Sequence, residues 1–191
     1  MSANPRRLAT YADLARLPEG TRAEVIGGEV QLFDSPLPRH GRVQSGLLGS
    51  IGGPFDFDGA PGGWWILPTV DVELGVHDIV SPDVAGWRRE RVPKFPASRP
   101  IAIVPDWICE IVSPSNERHD TIRKADLYFR CRVPFYWLVR PDERTLQAWR
   151  HSELGWIVAG TWTDGDKVGI PPFEAVPLDV GRLFPPVESV S

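Results

Sequence analysis

Two carboxylates and one lysine carry the first chemical signal in this chain. Asp83 stands in Ser81-Pro82-Asp83-Val84, and 27 residues later Glu110 interrupts the apolar run Trp107-Ile108-Cys109-Glu110-Ile111-Val112. An isolated charge is costly to bury, so such acids need a partner, a metal or a place at a strand end. Lys124 follows Glu110 by 14 residues, inside a helical pattern. Gathered carboxylates repel one another, and a divalent cation resolves the conflict. Mg2+ prefers oxygen ligands, keeps several waters and takes one or two protein carboxylates beside substrate phosphate. Asp83 and Glu110 fit that description, with Mg2+ or Mn2+ as cofactor. The chemistry would be phosphodiester hydrolysis: the metal polarises the phosphate and lowers the pKa of a bound water. Lys124 would orient that water or stabilise charge on phosphorus.

Each residue also has a plainer alternative. Asp is common beside Pro in turns, so Asp83 could simply end a strand. A structural Glu110 would need an arginine partner. Lys124, between Ile122 and Ala125, could face solvent. Order favours function: a buried strand ending near Glu110, then a helix returning with Lys124, can place the ammonium over the strand's end. Glu24, in Arg22-Ala23-Glu24-Val25, is a fourth acid that also reads as an exposed strand charge. His40, in Pro38-Arg39-His40-Gly41, could cap a helix or contact a phosphate or metal. Three cationic groups could line a path for DNA phosphates. They are Arg39 with Arg42; Arg123 with Arg118, Arg130 and Arg132; and Arg88, Arg89 and Arg91 with Lys94. The alternative is scattered solubilising charge.

The elements that must position these groups follow from pattern. Thr10 could cap a short helix with Tyr11, Leu14 and Leu17 on its apolar side, ended by Pro18-Glu19-Gly20. Ala23 to Phe33 reads as a hairpin turning at Gly27-Gly28. Val43, Leu47, Leu48 and Ile51 predict a helix over about 39–51, stopped by Gly52-Gly53-Pro54. Trp64 to Leu74 is strand-like, Val70, Val72 and Leu74 alternating with Asp71 and Glu73. Ile79 to Ala85 is a further strand, carrying Asp83. Trp107 to Val112 is the kind of apolar strand buried on both faces of a central sheet. A helix over about 118–130 and a strand over Phe135 to Val139 then complete a crossover between parallel strands. Leu146–Trp149 and Trp156–Thr161 are strands of the tail. The fold class is α/β or α+β: a central mixed sheet flanked by the 39–51 and 118–130 helices, with additional C-terminal strands.

At 191 residues, 42% hydrophobic and 24% charged, the composition is globular with room for one core. We expect one domain over 1–191, with a core over about 10–150 and a β extension over 150–191. A net charge of −4 argues against a protein that coats nucleic acid but allows a local basic groove. Cys109 and Cys131 form no zinc framework and read as free thiols of a reducing compartment. No run approaches the roughly 18 apolar residues of a membrane span, so a cytoplasmic protein without membrane contact is expected. Phosphate-cradling glycine loops, HExxH and GxSxG are all missing, which argues against an NTPase, a dehydrogenase or a serine hydrolase. Two further classes stay open. One is a catalytically silent, homodimeric binding scaffold, motivated by the aromatic tail strands. The other is a metal hydrolase of a non-nucleic substrate.

The ordered motifs resemble the Uma2 family of restriction-endonuclease-like proteins, within the PD-(D/E)xK nuclease superfamily. The matching pieces begin with AEVIGGEV (Glu24, Gly28, Glu29), SPLPRH (Pro36, Pro38, His40) and SPDV (Asp83). They continue with EIVSPSNERHD (Glu110, Ser113, Pro114, Ser115, Asp120), Lys124, Tyr128 and VPFYWLVRP. The resemblance spans about residues 10–150 and rests on the set rather than on any one motif. It implies a restriction-endonuclease-like fold and Mg2+- or Mn2+-dependent cleavage of DNA, in a fold that often pairs into homodimers. It also implies that the carbonyl of Ile111 joins Asp83 and Glu110 as a metal ligand. Glu24 would hold a second metal or a metal-bound water. In the parent superfamily the lysine stands two residues after the acid on one strand. Here that position is Val112, and the resemblance implies that Lys124 supplies the ammonium from the next helix. Gly27 stands where the family commonly has Asp, Arg132 where it has Gly and Arg140 where it has Asp. None of these removes a proposed ligand.

Overall fold

Short strands paired into sheets build this molecule, whose computed structural model describes residues 7–57, 61–113 and 119–186. In chain order, α1 (Tyr11–Leu14) leads into the hairpin β1 (Arg22–Ile26) and β2 (Glu29–Phe33). Helix α2 (Pro38–Leu47) continues as a π-helical segment, Leu48–Phe57. Four strands follow: β3 (Trp64–Pro68), β4 (Val72–Gly75), β5 (Asp78–Val80) and β6 (Val84–Arg88). After β7 (Trp107–Ile111) a second π-helical segment, His119–Lys124, runs into α3 (Ala125–Arg130). The chain then forms β8 (Phe135–Arg140), β9 (Thr145–Ser152), β10 (Gly155–Thr163), β11 (Lys167–Val168) and β12 (Leu178–Asp179), and closes with a 3-10 turn, Val180–Leu183.

Six strands form the central sheet in the order β10-β9-β8-β7-β6-β3, and four form a second sheet in the order β2-β1-β5-β4. β7 and β8 run parallel, Trp107 opposite Phe135 through Ile111 opposite Val139, while their outer neighbours are antiparallel. The central sheet is therefore mixed, as expected. All five residues of β7 are buried. Trp107, Cys109 and Ile111 pack with Val43, Leu47 and Ile51, whereas Ile108 packs with Leu127, Tyr128 and Tyr136 on the other face. The two-residue period puts Glu110 on the Ile108 face, toward α3. Trp107 and Trp137 meet edge to face at 5.1 Å in the core, and Phe173 packs on both. Ile170, Phe173, Leu178 and Leu183 thus close the same apolar cluster as α2.

Several local expectations hold. The Asp13 carboxylate accepts the Thr10 N–H at 2.9 Å at the start of α1. β1 and β2 pair from Arg22–Phe33 to Ile26–Glu29 around Gly27 (φ 60°) and Gly28 (φ 76°), the two left-handed positions of a tight primed turn. β9 and β10 form the tail hairpin, and the Trp156 indole donates to the Ala125 carbonyl at 3.0 Å, tying β10 to α3.

Three expectations need correction. The helix expected over 39–51 does not stop at Gly52-Gly53-Pro54; it widens into the π-helical turn and reaches Phe57. Tertiary anchoring overrides the local breakers. Phe55 is buried against Phe173 at 4.8 Å, and the Asp56 carboxylate accepts the Ile66 N–H at 3.0 Å. The single strand expected over 64–74 is two strands in different sheets, separated at Thr69, which has φ 47°. The strand expected over 79–85 likewise breaks at Ser81-Pro82-Asp83: β5 belongs to the four-stranded sheet and β6 to the central one. Pro82 cannot donate to a ladder, which suits it to this crossing. In the expected 118–130 helix, residues 119–130 are helical. Arg118 lies outside the described residues, as do Pro114 and Ser115 of the motif after Glu110.

Candidate active site

The two sheets meet at Ser81-Pro82-Asp83, and the acids gather there. Asp83 sits at the head of β6, held by three neighbours. Its Oδ2 accepts the Ile111 N–H at 2.7 Å, its Oδ1 lies 2.9 Å from His40 Nε2, and the Arg22 guanidinium stands 3.9 Å from Oδ1. The Gln44 amide fixes the Asp83 carbonyl from α2 at 2.7 Å. Glu24 arrives from β1, its Oε1 accepting the Ser81 N–H at 2.9 Å and its Oε2 lying 3.1 Å from His119 Nε2. Glu110 arrives from β7. Its Oε1 accepts hydrogen bonds from Lys124 Nζ at 2.9 Å and from the Tyr128 hydroxyl at 2.5 Å. Lys124 also reaches Glu24 Oε1 at 2.8 Å and stands 3.8 Å from Asp120 Oδ1. Glu24, Asp83, Glu110, Asp120 and Lys124 are all at most 5% exposed.

Helix geometry explains the lysine. Positions 124 and 128 lie one above the other on a helical face, so Lys124 and Tyr128 meet the same oxygen of Glu110. The preceding π-helical turn presents Asp120 on that side too. Such widened turns commonly mark functional positions in helices.

Four buried carboxylates face one ammonium here, and their protonation divides accordingly. Burial alone would raise Glu24. The Lys124 charge and hydrogen bonds from His119, Lys124 and the Ser81 N–H outweigh it and hold Glu24 at about 2. Burial dominates at Glu110, aided by the Asp83, Asp120 and Glu24 charges, and raises its carboxyl well above the ordinary value despite Lys124. Asp120 is pushed up to about 6, again mainly by burial. For Lys124 burial works against the charge, but Glu110, Glu24, Asp120 and Asp83 together raise it well above the usual lysine range. The ammonium is thus firmly protonated. Burial and the Glu110 carboxylate raise the Tyr128 hydroxyl as well, so it remains a donor.

These groups line a cavity of 540 Å³, together with His40, Ile111, Arg22, Arg99 and Phe33. Glu24, Asp83, Glu110, Ile111, Lys124 and His40 therefore converge, as the sequence reading requires. Arg39 and Arg123 do not. Arg39 pairs with Asp142 at 2.6 Å, away from the cavity lining, and Arg123 is exposed on the outer side of its turn. Much of the third cationic group is likewise engaged elsewhere: Arg89 binds Asp56 and Arg91 binds Asp106. Sequence reasoning missed the cavity's own arginines. Arg22 shares a face of β1 with Glu24, two residues on, a signal that strand alternation offers. Arg99 binds Asp71 at 2.9 Å, and Asp71 accepts the Ser81 hydroxyl at 2.7 Å. Asp120 and Tyr128 were part of the motif but held no role in the site; their four-residue spacing from Lys124 was the available signal.

The donor set suits a hard divalent cation. Every candidate ligand is oxygen, and the carboxylates outnumber the ammonium. Among the described residues no group of three or more His, Cys, Asp or Glu is arranged to hold a metal. Mg2+ needs only one or two protein carboxylates, the rest of its shell being water or substrate, so the residues fit such an ion.

The family model described as "putative restriction endonuclease", Uma2, matches residues 8–180. The chain belongs to the Uma2 family. Among solved structures, one similar to this chain is described as a "putative nuclease belonging to DUF820" from Anabaena variabilis. It is 22% identical, covers 91% of this chain and 96% of its own, and has a TM-score of 0.71. That likeness shows the nuclease-like fold. No curated protein matches the sequence. Family and fold together support a nuclease. No helix among the described residues is long and apolar enough to cross a membrane.

Proposed function

We propose that this Uma2 protein is a metal-dependent endonuclease that hydrolyses DNA phosphodiester bonds. The observation that carries the reading is the convergence of Glu24, Glu110 and Asp120 on the ammonium of Lys124, with Asp83 beside them in the lining of one cavity. Asp83 and Glu110, with the Ile111 carbonyl, would hold Mg2+ or Mn2+, and Glu24 would hold a second ion or its water. The bound ion supplies charge neutralisation at the scissile phosphate and a more acidic water.

The chain's own groups do the rest. His40 and the Ile111 N–H fix the Asp83 carboxylate from opposite oxygens. Tyr128 and Lys124 fix Glu110. Lys124 keeps its proton and presents a charged donor where negative charge grows on the phosphoryl oxygens, a low-dielectric setting in which such stabilisation is strong.

Plasmid nicking in Mg2+ or Mn2+ tests the proposal, with Asp83→Asn, Glu110→Gln and Lys124→Met as inactive variants. Robust nicking by all three purified variants would overturn it. A folded, dimeric protein with neither nicking nor metal affinity would favour the silent scaffold, in which Lys124 simply ties β1, β7 and the helix together.

A further inference from the structure

Resting on the nuclease reading above, we infer that the site takes single-stranded or locally unpaired DNA rather than intact duplex. Depth is the first argument. Glu24, Asp83, Glu110, Asp120 and Lys124 are buried to within 5% of full occlusion, so a scissile phosphate must travel into the cavity to reach them. A cavity of 540 Å³ is the size of a small-molecule site, about 300–1,000 Å³, with room for a nucleotide and none for a duplex. A phosphate on a rigid duplex rides on the surface of that cylinder and cannot enter. An unpaired strand can thread one nucleotide inward.

Charge is the second argument. The cations in the described cavity lining are Arg22, Arg99 and Lys124, and Lys124, held between Glu24 and Glu110, can serve the scissile phosphate alone. Arg22, 33% exposed and 3.9 Å from Asp83, and Arg99, 80% exposed and bound to Asp71 at 2.9 Å, are the other two, and a phosphate would share Arg99 with Asp71. Two arginines match two phosphates of a short single-stranded segment. A duplex-binding groove commonly makes about six to ten phosphate contacts. Arg39, Arg89 and Arg91 lie outside the cavity lining and pair with Asp142, Asp56 and Asp106.

The third argument is a ring in the wall. Phe33, at the end of β2, lines the cavity and lies 5.0 Å from the His119 ring, tilted 58° to it. Unstacked bases bind aromatic faces without regard to sequence. A paired base offers no free face to such a ring.

Two measurements test the inference. The first is cleavage in Mn2+ of a labelled single strand, the same sequence as full duplex, and a duplex with a central unpaired bubble. The strand and the bubble should be cut at least about 10-fold faster than the duplex, with cuts inside the bubble, a difference of the size expected for one missing set of site contacts. Duplex cut as fast as the strand overturns the inference while leaving the nuclease reading intact. Failure to cut any substrate overturns the nuclease reading itself.

The second is binding to the same DNAs in Ca2+, followed by fluorescence anisotropy across salt. Two phosphate contacts on a single strand give a slope of log K against log salt near about −1.4, and six or more on duplex would give about −5 or steeper. A steep slope with tighter duplex binding overturns the inference. Phe33→Ala should raise KM for the single strand about 5-fold or more with kcat kept, a split that a merely structural defect would not produce. An unchanged KM overturns the role given to that ring.

Discussion

Replacing Lys124 by Met removes one charge and almost no volume, and the structure says what the loss does. Lys124 stands 2.8 Å from Glu24, 2.9 Å from Glu110 and 3.8 Å from Asp120, at 4% exposure. Two routes give the magnitude. Removing one member of a buried pair typically costs about 3–5 kcal/mol, because the other charge is left uncompensated. Independently, Glu24 sits at about 2 instead of 4.5, and that depression corresponds to about 3 kcal/mol of stability. Its folded pKa is lowered, so this contribution is present above the unfolded value and disappears as pH falls through about 2. In Lys124→Met the depression is gone, and burial raises all the neighbouring carboxyls. A raised carboxyl is harmless below its unfolded pKa and costs stability as pH rises through the folded one. The variant's deficit should therefore be smallest at about pH 2, where the Glu24 contribution has gone, and reach about 3–5 kcal/mol at about pH 8.

Urea unfolding of wild type and variant at both pH values measures this, and a drop in Tm of about 10 °C near neutral pH accompanies it. Mg2+ should recover part of the deficit, since it replaces missing positive charge in a site with excess carboxylate. Activity should not return with it, because the ammonium itself is proposed to act. A deficit below about 1 kcal/mol at the higher pH, the range of an exposed ion pair, would refute the reasoning. So would a deficit equal at both pH values.

Other expectations follow from the same electrostatics. Asp120 is pushed up to about 6, so in the metal-free wild type its contribution falls away as pH rises from about 4 through about 6; Asp120→Asn should gain up to about 3 kcal/mol at pH 7–8 relative to wild type, read by thermal unfolding across pH. Glu110 is raised well above its ordinary value by burial, so Mg2+ must displace protons: apparent affinity should rise with pH, calorimetry in buffers of different ionisation enthalpy should show proton release, and Glu110→Gln should remove it. His40→Ala frees Asp83 Oδ1 from its 2.9 Å partner and should lower activity or metal affinity by about 10–100-fold without changing the fold, checked by circular dichroism. Gly28→Ala meets Leu8 Cβ at 2.6 Å and a φ of +76°, so it should destabilise the β1–β2 hairpin by about 1 kcal/mol or more in denaturant unfolding.

Where the chain could be read locally, the reading matches the structure. Gly27-Gly28 announces its own turn, and the apolar runs 107–112 and 135–139 announce β7 and β8 as buried neighbours. Glu110 was legible for the same reason: an acid inside such a run must be explained. The sheet switch at Ser81-Pro82-Asp83 was less legible, because Pro82 marks an edge or a strand end as readily as a crossing between sheets. What breaks the strand is the choice of partners, β1 and β4 before the break and β3 and β7 after it. The helix past Ile51 was hidden likewise, since Phe55 and Asp56 owe their places to Phe173 and Ile66.

The cationic residues show the limit most clearly. Clusters such as Arg88-Arg89 with Arg91 are conspicuous in a sequence, but density along the chain measures how many charges a loop presents. It does not say which carboxylates stand opposite. In the fold Arg89 and Arg91 meet Asp56 and Asp106, while Arg88 lies over the Trp64 ring at 4.7 Å. Phosphate recognition needs cations that converge on the acids, and convergence is a property of the sheet junction. β1 supplies it by putting Arg22 and Glu24 on one face, while Arg99 reaches the same cavity through Asp71. Two inconspicuous arginines at a junction therefore outweigh the conspicuous clusters elsewhere, and the junction exists because Pro82 moves the chain from one sheet to the other directly ahead of Asp83.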